Sequence, residues 1–472
     1  MKAVNPERLR GREMPEGSAV LEEADRRDYI MKIQLSDHFD YKKLLRFTLP
    51  SIVMMIFTSI YGVVDGFFVS NFVGKTPFAA VNFIMPFLMI LGAVGFMFGT
   101  GGSALIAITM GTGDRERANR LFSLFVYISA ICGVIIAVLG IVLIRPAAAL
   151  LGAEGVLLDN CVLYGRVILI ALPAFILQYE FQSFFITAEK PQLGLAVTVA
   201  AGMTNMVLDG VFVGLLQWGL VGAAGATALS QAVGGIIPLI YFGRPNTSLL
   251  RLTRTKFDGR ALLKTCVNGS SELMSNISMS VVGMLYNLQL MKYAGEDGVA
   301  AYGVLMYVSM IFFAAFIGYS VGVAPVVGYH YGAGNREELK GLLKRSLVLI
   351  GIFSVGMLGL GEGLARPLSL IFVGYDAELL ELTLEGFLVY SFSFLFAGIA
   401  VYGSSFFTAL GNGLASALIS FLRTLVFQVA AVLLLPLLLG LDGIWISIVA
   451  AELMAAVVTV LFLVGMRGKY HY

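Results

Sequence analysis

The chain has 472 residues, 58% of them hydrophobic and only 13% charged, with a net charge of +2. Soluble domains carry about 25% charged residues, so a water-soluble core is excluded. The three cysteines (Cys132, Cys161, Cys266) lack CxxC spacing and the three histidines (His38, His330, His471) lie far apart, which argues against a disulfide framework, a metal site and a histidine-based catalytic centre.

Residues 1–40 have no apolar h-region, and before Ile33 they carry seven Lys/Arg and seven Asp/Glu; they predict a solvated cytoplasmic tail, not a signal peptide. From there apolar stretches recur almost without pause, each long enough to cross a hydrocarbon core about 30 Å thick. They predict an all-α integral membrane protein with twelve spans: 44–70, 78–109, 119–144, 160–187, 192–216 and 219–243, then 262–291, 298–330, 341–363, 380–409, 412–438 and 441–466. The 54 glycines read first as close helix contacts, because small residues form the packing interfaces between membrane helices.

With the N-terminus inside, the inner connections hold most of the basic residues, among them Arg115, Arg117, Arg120, Arg244, Arg251, Arg254, Lys256, Arg260, Arg336 and Lys340. The outer connections and their flanks hold Lys75, Arg145, Arg166, Lys292 and Arg366. Both termini are therefore expected to be cytoplasmic. The expected organisation is an N-lobe over 41–243, a basic linker over 244–261, a C-lobe over 262–466 and a short cytoplasmic tail over 467–472.

The lobes are copies. GTGDRE at Gly111 returns as GAGNRE at Gly332, a shift of 221, and Arg145-Pro146 returns as Arg366-Pro367 at the same shift. Gly62 falls on Gly283, Gly74 on Gly295, Gly101 on Gly322 and Gly222 on Gly443. Six spans per copy is an even number, so the bundles are related by a pseudo-two-fold axis along the membrane normal and a solute is expected to bind between them.

An ionisable side chain inside a bilayer is costly, so each is a functional candidate. Six lie in the spans: Asp65, Glu180, Asp209, Glu272, Arg423 and Glu452. Asp65, Asp209 and Thr227 fall at similar depth in the outer half of spans 1, 5 and 6, and Asn205 is one turn from Asp209 on the same face. Such an oxygen cluster suits Na⁺, and two carboxylates held close also suit a shared proton; plain interhelical hydrogen bonding is the structural alternative. The shift carries Asp65 to Tyr286, Asn205 to Val426, Asp209 to Ala430 and Thr227 to Ile448, so only the N-lobe has the set. Glu272 is a C-lobe candidate for meeting substrate, a proton or its neighbours Ser270, Ser271 and Ser275, and Tyr286 is a second cavity candidate. Glu452, aligned with Gln231, reads as packing. Glu180 and Arg423 are placed nearer the cytoplasmic ends, where long side chains reach the interface or pair. Pro50, Gly62 and Gly66 mark span 1 as a candidate hinge. Methionines and phenylalanines lining a cavity would, with net negative charge, favour large organic cations.

These residues resemble the multidrug and toxic compound extrusion (MATE) transporters, particularly the bacterial members, over essentially all of 40–466. The likeness rests on LPSIVMMIFTSIYGVVDGFFV in span 1, on the GTGDRE and GAGNRE turns and on NMVLD in span 5. In that family a span 1 aspartate matches Asp65, and in members with an N-lobe cation site the span 5 asparagine and aspartate match Asn205 and Asp209 and a span 6 threonine matches Thr227. The resemblance implies a non-enzymatic antiporter in the cell membrane, exchanging amphipathic organic cations for Na⁺ or H⁺ by alternating access, with no cofactor beyond the coupling ion and no nucleic-acid or obligate protein partner. Span 10, SFSFLFAGIAVYGSSFFTAL, lacks the acidic residue of some members. The alternative is a lipid-linked saccharide flippase of the same superfamily, which typically needs cationic residues in its cavity where this core is acidic.

Overall fold

The computed structural model describes residues 33–472, and all regular structure among them is helical. Most of the expected tail therefore lies outside the described residues. Span 1 is Tyr41–Phe68, closed by a π-turn at Val69–Val73; spans 2, 3 and 4 are Lys75–Gly111, Arg115–Leu150 and Gly155–Thr187. Span 5 is Pro191–Asp209 with a π-turn at Gly210–Leu215, and span 6 is Gly219–Gly243. Spans 7 and 8 form the run Gly259–Gly332, interrupted by the non-helical backbone of Gly295 (φ 64°, ψ −150°). Tyr286 and Tyr302 stack there with centroids 5.1 Å apart. A straight helix would separate them by about 24 Å, so the chain doubles back. Span 9 is Arg336–Val373, and span 12 is Leu441–Gly465.

Two spans are less regular than their sequence predicts. Span 10 is a pair of helices, Ala377–Ser391 and Phe394–Ala409, bent by 49°. Span 11 is Gly413–Phe421 and Gln428–Leu439 joined by a π-turn at Leu422–Phe427. Among the described residues, twelve crossings in two six-helix bundles result. Apolar side chains such as Val138, Val142 and Leu437 stay more than half exposed, as expected where the solvent is lipid.

The sequence repeat is also a repeat of backbone. Gly113 and Gly334 share a left-handed conformation in equivalent turns (φ 86° and 69°), as do Gly219 and Gly440 (φ 59° and 61°), where any other residue would be strained. The lobes meet about that symmetry. A methyl group on Gly111 would collide with the carbonyl oxygen of Tyr329, and one on Gly332 with that of Ile108, each contact being the image of the other at the shift of 221. Further tight approaches join Gly101 to Thr265, Gly269 to Met97, Gly318 to Ile52 and Gly322 to Thr48. All lie in the halves of spans 1, 2, 7 and 8 nearest the linker. The lobes are thus closed on the linker face.

Residues 33–40 cross that closed face. The Leu35 N–H donates to Glu189 Oε1 (2.7 Å) between spans 4 and 5, while the Phe39 N–H donates to Glu338 Oε1 (3.0 Å) at the head of span 9. The side chains of Leu35 and Phe39 are fully buried. This strap joins the two lobes. At the other end, residues 467–472 fold back on the C-lobe: Tyr472 is buried and its hydroxyl donates to Leu463 O (2.9 Å).

Candidate functional site

Asp65 stands 24 residues into span 1, about 36 Å along the helix from the linker face. One turn beyond it span 1 passes into its π-turn, and immediately beyond Asp209 span 5 does the same. A π-turn adds a residue to one turn and rotates the next stretch of helix about its axis, a device concentrated at functional sites. Through both, four predicted residues come together. Thr227 Oγ1 lies 3.5 Å from Asp65 Oδ1 and 3.5 Å from Asn205 Nδ2, and donates to Ala223 O at 3.1 Å. The carboxyl of Asp209 faces that of Asp65.

Burial makes this arrangement demanding. Asp209 and Asn205 are inaccessible, at 0% and 1% exposure, and Asp65 and Thr227 are half-buried. Neither oxygen of Asp209 nor the amide oxygen of Asn205 has a protein hydrogen-bond donor. Leaving a buried polar atom unpaired costs about 1–3 kcal/mol, more if it is charged. An ensemble of oxygens with no protein donor is what a bound cation or a transferable proton satisfies.

Sequence reasoning missed the second row of this site. Tyr164, fully buried on span 4, stands beside both carboxylates, and Tyr61, one turn before Asp65, reaches Gln178 of span 4. The signal available in the sequence was the placing of Tyr164 and Gln178 about four turns apart on one face of span 4.

The C-lobe is built differently. Arg423, held in the π-turn of span 11, places Nε 2.8 Å and 3.1 Å from the two oxygens of Glu452, and its guanidinium lies over the Phe313 ring at 5.5 Å. Glu452 is therefore one half of a buried ion pair rather than a polar packing residue. Glu272, half-buried on span 7, is within electrostatic reach of Arg423. The Ser270 and Ser275 hydroxyls donate to backbone carbonyls of their own helix. Tyr286 is 2% exposed and lies in the C-lobe interior on Tyr302. Glu180 does not extend to an interface: it is fully buried in the N-lobe and neither of its oxygens has a hydrogen-bond partner. Pro50, Gly62 and Gly66 lie within continuous α-helix, and nothing stands within 4 Å of a methyl group placed on either glycine.

Comparison with known proteins gives a consistent picture. The MatE family model matches twice, over residues 50–211 and 273–434, once in each lobe. The multidrug export protein MepA of Staphylococcus haemolyticus (strain JCSC1435) is 26% identical over 436 residues, spanning 91% of this chain and 94% of that protein. MepA of Staphylococcus aureus (strain MRSA252) is 24% identical over the same shares. Among solved structures, an outward-facing multidrug resistance MATE family transporter of the MOP superfamily superimposes with a TM-score of 0.88 at 25% identity, covering 93% of this chain and 99% of that one. A MATE protein in complex with MaL6 has the same fold, with a TM-score of 0.88 at 24% identity and the same coverage.

Proposed function

Since the chain belongs to the MatE family of multidrug and toxic compound extrusion transporters, we propose that it exports amphipathic organic cations across the cell membrane in exchange for Na⁺ or H⁺. Asp65, Asp209, Asn205 and Thr227 hold the coupling ion. The observation that carries this reading is the Asp209 carboxylate, wholly buried, without a protein donor and facing Asp65. An entering cation supplies the missing partner to both carboxylates and to the Asn205 oxygen; an entering proton relieves the repulsion between the carboxylates. Of the two carboxylates only Asp65 retains some exposure, so it is the one through which an ion arrives. Export proceeds by alternating access: the closed linker face is one of two states, and span 1, loosely packed around Gly62 and Gly66, bends between them. Both termini are cytoplasmic.

Arg423 supports efflux over the flippase alternative. A cavity for a pyrophosphate headgroup needs available cations, and this guanidinium is engaged by Glu452 with 16% of its side chain exposed.

The test is uptake of a cationic dye by proteoliposomes under an imposed Na⁺ or proton gradient. Wild-type protein is expected to respond to one gradient, and Asp65→Asn and Asp209→Asn to neither, while both variants insert and purify as monodisperse protein. Gradient-driven transport at wild-type rates in Asp65→Asn would refute the coupling role.

A further inference from the structure

Between the head of span 3 and the linker, on the face opposite the Asp65 site, lies a cavity of about 1040 Å³. Its wall is basic, with Arg117 and Arg120 from span 3 and Arg254, Lys256 and Arg260 from the linker and the first turn of span 7. The single carboxylate in the wall, Asp258, already accepts from the Arg260 and Ala261 N–H groups (3.1 and 3.0 Å) as the cap of span 7. Arg120 pairs with the exposed Glu116 (2.5 Å), whereas Arg117, Arg254, Lys256 and Arg260 have no ion-pair partner among the described residues. Four uncompensated cations around one concavity repel each other unless an anion joins them.

The cavity wall is fixed in place. Asn119 Oδ1 accepts from the Arg251 N–H and Ser123 Oγ from the Thr253 N–H, both at 2.8 Å, so the linker is tied along span 3. A general excess of inner-face basic residues explains the charges but not this anchored concavity. What lies beside it is apolar. Arg120 heads a stripe at helical spacing, Leu124, Tyr127, Ile131, Val134 and Val138, the last four being 41–57% exposed, and Phe257 in the cavity wall is 75% exposed. Cations next to a lipid-facing apolar stripe fit a molecule with a phosphate head and hydrocarbon tails.

We propose that this cavity binds the phosphodiester headgroup of an anionic glycerophospholipid whose acyl chains lie along the exposed stripe of span 3.

The test is native mass spectrometry of the full-length protein reconstituted with phosphatidylcholine and phosphatidylglycerol, then exchanged into neutral detergent. Wild-type protein should retain phosphatidylglycerol. The triple variant Arg254→Gln, Lys256→Gln, Arg260→Gln should retain it about tenfold or more less well. A control triple on the same face, Arg336→Gln, Lys340→Gln, Lys344→Gln, should match wild type, and Ile131→Gln, which leaves the cavity intact, should also weaken retention. Equal loss in the two triples would overturn the proposal in favour of general surface charge. Absence of retained phosphatidylglycerol in the wild type would also overturn it. Displacement of the lipid by inorganic phosphate as readily as by phosphatidylglycerol would overturn the lipid assignment and leave a soluble phosphate site.

Discussion

The strap over the linker face gives a quantitative prediction. Glu338, with 7% of its side chain exposed, accepts from the Phe39 N–H at 3.0 Å, from Arg345 Nη1 at 3.1 Å and from His38 Nδ1 at 2.6 Å. The three contacts do not count equally toward holding the strap. Arg345 belongs to the same helix as Glu338, so its bond is internal to the C-lobe. The His38 side chain is 68% exposed, and solvent screening leaves such a pair little net effect. What remains is the buried bond from the Phe39 N–H to a carboxylate, worth about 1.5–3 kcal/mol. Glu338→Ala should therefore raise the opening of residues 33–40 about 10- to 150-fold. Hydrogen exchange at the Phe39 amide reads that factor directly, and burial of Leu35 and Phe39, unchanged by the substitution, cancels from the difference. Since Leu35 is tied to the opposite lobe through Glu189, the variant should also populate states with the linker face open, seen as longer spin-label distances across it. Unchanged protection of Phe39 in Glu338→Ala would show that apolar burial alone holds the strap.

Other substitutions probe the interior. Glu452→Gln leaves the Arg423 guanidinium buried without its counter-ion and should destabilise the C-lobe by about 3–5 kcal/mol, whereas joint replacement of Arg423 and Glu452 by methionine should recover most of that in thermal unfolding; equal stability of the single and double variants would contradict the ion-pair account. Glu180→Met removes a buried carboxyl without a hydrogen-bond partner and should raise the thermal midpoint without altering insertion. Gly332→Ala drives a methyl group into the Ile108 carbonyl; engineered cysteine pairs across the linker face should cross-link markedly less in that variant, and unchanged cross-linking would mean that the helices shift to absorb it.

The sequence by itself determined the architecture. Span length, apolarity and the shift of 221 residues follow from bilayer thickness and from duplication, and neither needs a tertiary contact to be seen. It also brought Asp65, Asp209 and Thr227 to one depth, with Asn205 one turn away on the face of Asp209, because helical rise converts sequence position into depth directly. Tertiary structure decided what each charge meets. Arg423 and Glu452 are 29 residues apart on different helices, and a helix's rotation about its own axis is set by packing, which sequence spacing does not encode. For the same reason the burial of Glu180 without a partner, the place of Tyr164 beside the carboxylates and the bend in span 10 became apparent only once the helices were assembled. The strap and the basic cavity are likewise products of folding: they join short, irregular segments to distant helix ends, and such segments carry no periodicity from which their partners can be read.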